Sequence, residues 1–236
     1  MITVLATPGT LVAGAELALE EEEQHHLTVR RAREGEAVML LDGAGCRGTG
    51  QLRWAGKVLS VAVDRVSREP RPPAVTLAVG AGDRERFALL AEQAVQLGAT
   101  RIVPIETDRT ANVATRVREG TLDKVRRRSR EALKQCSAAW ECAVAECVGL
   151  EQFLAEAPQG ACWLADHAGS AAPSLGVSDT LTVLVGPEGG FTATERDRIL
   201  SAAWVPVALG PHILRYETAA LAALSTAWQA RHRGDG

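Results

Sequence analysis

Three prolines fall within four residues at Pro70-Arg71-Pro72-Pro73, directly after the charged string Ser67-Arg68-Glu69. Each proline fixes φ and removes an amide donor, so the stretch continues neither a helix nor a central strand and reads as an extended connector. The chain has a different rhythm on either side of it. Before the connector, short apolar segments separated by turn signals predict strands at Ile2 to Leu5, Ala37 to Leu41 ahead of Asp42-Gly43, Gly50 to Trp54 and Val58 to Val63. That spacing is expected of a small β-barrel or sandwich. After the connector, short β-branched runs alternate with longer segments of helical period, the pattern of an α/β domain. The sequence therefore divides into two expected domains, residues 1–69 and 74–236.

Within the second part, Val75 to Val79 reads as a strand, and Phe87, Leu90, Ala91 and Ala94 recur at helical spacing until Gly98, a residue able to close the helix in the left-handed region. Arg101 to Ile105 is the next strand, a helix is expected from about Thr121 to Ala138, and further strands near Ala143 to Cys147 and at Ala161 to Ala165. Thr180 to Val185 is the clearest buried strand. Thr192-Ala193-Thr194-Glu195 fits a capping box that opens a helix to about Ala203. A strand at Val205 to Leu209 then leads to a C-terminal helix with Leu221, Leu224 and Trp228 on one face.

Composition narrows the function classes. No apolar run approaches the roughly 20 residues that cross a bilayer, and Met1-Ile2-Thr3-Val4 lacks the basic start and apolar core of a signal peptide, so a cytoplasmic location without membrane partners is expected. Cys46, Cys136, Cys142, Cys147 and Cys162 show no paired CxxC spacing and no histidine cluster, which points to reduced, mostly buried thiols and no metal site. A formal net charge of −3 is not the footprint of a nucleic-acid binder. Its distribution is uneven, however. Arg116, Arg118, Lys124, Arg126, Arg127, Arg128 and Arg130 face only Glu119 and Asp123 within the same run, which is either a phosphate-binding surface or a solvated helix face.

Two loops carry the chemistry. Gly186-Pro187-Glu188-Gly189-Gly190 sits between the Thr180 strand and the Thr192-capped helix, at the strand end where α/β sheets bind ligands. Glycines there allow positive φ and close approach of the backbone to a ligand; a tight turn with no ligand is the plain alternative. The second loop, Leu209-Gly210-Pro211-His212-Ile213-Leu214-Arg215-Tyr216-Glu217-Thr218, mixes apolar residues with an arginine and a glutamate, as pocket walls do. Arg215 is equally readable as a surface residue held by Glu217.

The strings GPEGGF and LGPHILRYETA together closely resemble the two signature motifs of the ribosomal RNA small subunit methyltransferase E family of the SPOUT superfamily. Gln24-His25-His26-Leu27-Thr28-Val29-Arg30-Arg31, with Gly35 and Asp42-Gly43-Ala44-Gly45 after it, extends the resemblance to the N-terminal part. The resemblance implies a PUA-like β-barrel RNA-binding domain followed by an α/β-knot methyltransferase domain with a deep trefoil knot, a rare exception to the rule against knotting. It implies a homodimer that methylates uridine N3 in 16S ribosomal RNA with S-adenosyl-L-methionine. Carried over by position, the cofactor contacts are Gly186, Pro187, Glu188, Gly189 and Gly190, then Leu209, Gly210, Ile213 and Leu214, with Leu164 and Asp166 as a third wall.

Uridine N3 carries a proton, so the reaction needs a group to take it and positive charge to steady the anionic ring. Arg215 is the candidate for the charge, Glu188 or Glu217 for the proton. The candidate RNA contacts are His25, His26, Arg30, Arg31, Arg126, Arg127 and Arg128. The chain departs from the family pattern at Gln93 and Gln96, where Lys and Glu are usual, at Ala138 and its neighbours after Gln135-Cys136, and at Tyr216, where threonine is usual. These changes leave the cofactor loops intact and fall partly on the RNA-facing set. They keep two alternatives in view: another SPOUT enzyme acting on transfer RNA or a ribose hydroxyl, and an RNA-binding homologue without catalysis.

Overall fold

The computed structural model describes residues 1–55, 58–111, 113–156 and 158–233. The chain forms two compact units, one made of Met1–Arg71 with Arg130–Glu141, the other of Pro72–Ser129 with Cys142–Gly236.

The first unit holds β1 (Ile2–Leu5), β2 (Glu16–Ala18), α1 (Glu21–Val29), β3 (Ala37–Leu41), β4 (Cys46–Ala55) and β5 (Val58–Arg68). They form one five-stranded sheet in the order β1-β3-β4-β5-β2, in which β1 and β3 run parallel and the other pairs antiparallel. Its core takes alternate residues from each strand, among them Val4, Leu17, Val38, Leu40, Leu52, Leu59 and Val61. Neither β2 nor α1 is expected from the sequence. β2 has three residues, and α1 (EEEQHHLTV) has no apolar stripe: only Glu23 and Leu27 are buried on it. What holds α1 is partly electrostatic, with three acids in its first turn, where the helix dipole favours negative charge, and buried Glu23 paired at 2.8 Å with Lys134.

The second unit comprises β6 (Val75–Gly80), α2 (Arg84–Gln96), β7 (Arg101–Glu106), α3 (Glu119–Cys136, whose residues from Arg130 onward belong to the first unit), β8 (Ala143–Val144), β9 (Val148–Gly149), α4 (Leu150–Ala155), β10 (Ala161–Ser170), β11 (Leu181–Val185), α5 (Ala193–Ser201), β12 (Val205–Val207) and α6 (Tyr216–His232). All its strand pairs are parallel, in the order β12-β10-β11-β6-β7-β8, with β9 also on β7. β11 lies inside the sheet and is buried at every residue, which is why it reads so clearly. Leu164, Leu184, Ile105, Phe153 and Ile199 share one core cluster.

Three expectations are corrected. The single strand at 143–147 is two short ladders on β7, Ile102 facing Val144 and Ile105 facing Val148, so one extra residue is inserted between them. The insertion lies opposite Pro104, which has no N–H to give. On α6 the buried face is Tyr216, Ala220, Ala223, Leu224, Ala227 and Ala230, whereas Trp228 is 62% exposed; small residues let the helix lie close against α2 and β11. Of the five cysteines only Cys142 is buried.

Candidate active site

The C-terminal ends of β10, β11 and β12 open into one cavity of about 430 Å³. Each strand end contributes a segment, and each has a local reason for its shape.

After β11 the chain turns at Gly186. The Gly190 N–H donates to the Pro187 carbonyl at 2.8 Å, with Gly190 at φ +70°, and Thr192 then caps α5 in a full capping box with Glu195. The turn is seated on the end of β6. A Cβ on Gly80 would lie 2.5 Å from the Pro187 nitrogen, and one on Gly82 would collide with the Glu188 carboxylate. Only glycine admits this loop.

The ladder between β10 and β12 breaks after Ala165 and resumes at Ser170, both facing Val207, so residues 166–169 bulge out of that ladder. Asp166 thereby reaches the cavity. Its carboxylate accepts from Arg196 Nε at 2.8 Å and from the Ala168 N–H at 3.0 Å, with Arg196 Nη2 also at 2.8 Å. Burial alone would raise its pKa, but these hydrogen bonds and the guanidinium hold it below the usual carboxylate range.

Residues 209–214 form the third wall and lead into α6. The whole expected cofactor set, from Leu164 and Asp166 through Gly186–Gly190 to Leu209, Gly210, Ile213 and Leu214, lines this one cavity. Two of the three expected catalytic residues do not. Arg215 is exposed at the N-cap of α6, and Glu217 turns to Arg86 at 3.5 Å; only Glu188 is on the lining, its carboxylate accepting from the Asp83 N–H at 3.4 Å. Leu214 and Tyr216 face the cavity, while Arg215 and Glu217 beside them do not.

The sequence reading passed over one group on the lining and one beside it. Tyr216 is buried on it, its hydroxyl without a hydrogen-bond partner among the described residues. Arg109 is exposed beside the first loop, where a Cβ on Gly189 would lie 3.0 Å from its Cδ. Its turn is anchored by the Asp108 N–H donating to buried Glu195 at 2.8 Å. An arginine following a strand at the ligand edge of the sheet was the available signal.

The basic segments differ in kind. On α3, Arg126 is paired with Asp123 and Glu146 and Arg128 lies 3.7 Å from Glu92, while Arg127 is exposed with no ion pair among the described residues. The run is thus largely neutralised by acids from other elements, a pairing invisible in local sequence. In the first unit His25, His26, Arg30 and Arg31 are all exposed and make no ion pair among the described residues.

The family described as an RNA methyltransferase domain matches residues 69–228, and that described as an RNA methyltransferase PUA domain matches residues 19–57. The ribosomal RNA small subunit methyltransferase E of Mycobacterium bovis is 30% identical over 238 residues, covering 95% of this chain and 90% of that protein. The chain belongs to the ribosomal RNA small subunit methyltransferase E family. The Neisseria gonorrhoeae member, solved bound to S-adenosyl methionine, is 26% identical with a TM-score of 0.87 over 97% of each chain. A Legionella pneumophila protein solved with the cofactor SAM bound is 26% identical with a TM-score of 0.83 over 98% of each chain. Family membership thus rests on both units.

Proposed function

We propose that this chain transfers a methyl group from S-adenosylmethionine to N3 of a uridine in small-subunit ribosomal RNA, as a cytoplasmic homodimer whose C-terminal segment is knotted. The observation that carries the reading is the cavity at the ends of β10, β11 and β12, which gathers the whole expected cofactor set in a family with a member solved bound to that cofactor. The residues present fit the group. Val185, Leu164 and Leu214 give an apolar wall for a nucleoside, glycine-bearing turns expose backbone, and Asp166 and Glu188 supply negative charge for a cationic ligand. Exposed Ile213 at the cavity and exposed Trp228 farther along α6 support a second copy. The return of α6 onto β11, β6 and β10 supports the threaded topology.

Bound there, S-adenosylmethionine supplies an electrophilic methyl group on a positively charged sulfur. The chain's own work is to align the acceptor and manage its proton. Glu188, on the lining, is assigned the N3 proton, and Glu217 is the lesser choice because Arg86 engages it. Arg215, exposed beside Leu214 and Tyr216, is assigned the negative charge that develops on the uracil oxygens. RNA phosphates are assigned chiefly to Arg30 and Arg31 with His25 and His26, and on α3 to Arg127.

Nucleoside mass spectrometry of small-subunit ribosomal RNA from cells with and without the gene tests this. One 3-methyluridine should be lost with the gene and restored by the wild-type chain, while Arg215→Ala should restore it at a rate lower by about 10²-fold. A missing ribose methyl, or a change in transfer RNA alone, would sink the uridine assignment.

A further inference from the structure

We propose that the Tyr216 hydroxyl is a cofactor-binding group that accepts a hydrogen bond from the ammonium of the cofactor's amino-acid end. This rests on the cofactor reading above and assigns one of its contacts.

Tyr216 is the first residue of α6, is 4% exposed and lines the cavity, yet its hydroxyl meets no hydrogen-bond partner among the described residues. A buried hydroxyl left unmade is costly, so native chains rarely keep one without a function. The next residue repeats the feature: Glu217 keeps Oε2 buried and unpartnered while its other oxygen faces Arg86. Two consecutive side chains thus present unmet oxygens at the start of one helix.

The surrounding charge selects the ligand group. Burial first, then the charges of Glu188, Glu217 and Asp83, push the ionisation of Tyr216 well up, opposed by Arg86. The hydroxyl therefore stays neutral, able both to donate and to accept. Three carboxylates against one guanidinium repel a carboxylate or carbonyl ligand and attract a cation with N–H groups. Two of those anions are already held: Asp83 caps α2, accepting from the Glu85 and Arg86 amides, and the Glu188 carboxylate rests against Gly82 and the Asp83 N–H. The unmet Tyr216 hydroxyl, the one of these oxygens that lies on the lining, is left for an ammonium, which has three donors. Threonine, usual at this position in the family pattern, has a side chain too short to place its hydroxyl where tyrosine does.

The test is calorimetric binding of S-adenosylmethionine, S-adenosylhomocysteine and 5′-methylthioadenosine, which lacks the amino-acid end, to the wild-type chain and to Tyr216→Phe. The variant should bind the first two roughly 10- to 100-fold more weakly, as expected for loss of a charge-assisted hydrogen bond, and methylthioadenosine within about twofold of wild type. Its ligand-free melting temperature should be equal to or above that of wild type, because the hydroxyl removed has no partner to lose. Unchanged binding of all three, or an equal loss of all three, would overturn the proposal, as would a marked loss of ligand-free stability. If the wild-type chain binds none of them, the cofactor reading itself falls.

Discussion

The loops after β11 and β12 wall the same cavity but are built differently. Gly186–Gly190 is fixed from every side: Gly80 makes room for Pro187, a hydrogen bond of 2.8 Å closes the turn, and a capping box follows at once. Residues 209–214 have no backbone hydrogen bond closing them among the described residues, and Ile213 is 80% exposed. A prebuilt wall binds without ordering cost, whereas a wall with few contacts is ordered by what it binds. The cavity thus has one face that recognises and one that adapts.

The contrast breaks most readily at Gly80. Gly80→Val drives a Cβ into the Pro187 backbone and ring, so cofactor affinity in calorimetry should fall by at least ~100-fold, with a loss of stability of about 1–3 kcal/mol from overpacking. Gly189→Ala should cost only a few-fold, because the atom it meets belongs to the flexible Arg109 side chain. Equal losses at both positions would show that the loop is not seated on β6.

A smaller effect concerns the tie between α5 and the β10 wall. Asp166 has its pKa lowered in the folded chain, so it stabilises the fold above its unfolded value of about 4 and loses that contribution as pH falls through the folded value. Denaturant titrations should therefore show wild type more stable than Asp166→Asn at neutral pH, with the difference shrinking below about pH 4. A difference independent of pH would mean that the Arg196 pairing does not act through charge.

The smallest effect is expected at Ile213. Replacing this exposed residue by alanine should change the stability of the isolated chain by no more than about 0.5 kcal/mol, read from thermal melts. A loss as large as that of Gly80→Val would end the distinction between the two loops.

The elements that the sequence predicts well are those whose local pattern and burial agree. β11 is buried throughout, α5 opens on a complete capping box, and α2 ends before Gly98 at φ +83°. Those it misses lack such agreement: α1 has no apolar stripe, and β8 and β9 are divided opposite a proline. The loops that line the cavity were legible because glycine, proline and a following cap write backbone geometry directly into sequence. The neutralisation of the α3 basic run was not, because Glu92 lies on α2 and Glu146 between β8 and β9.

The sequence by itself determined the change from a strand-rich part to one in which strands and helices alternate, the strand-end loops and the resemblance that led to the family. Tertiary structure alone decided which members of a continuous motif share a cavity. From Leu214 to Glu217 the chain turns through the N-terminus of α6, so Leu214 and Tyr216 line the cavity, Arg215 is exposed and Glu217 meets Arg86. A string of letters places these four side by side; the entry into α6 turns alternate members toward the cavity and away from it.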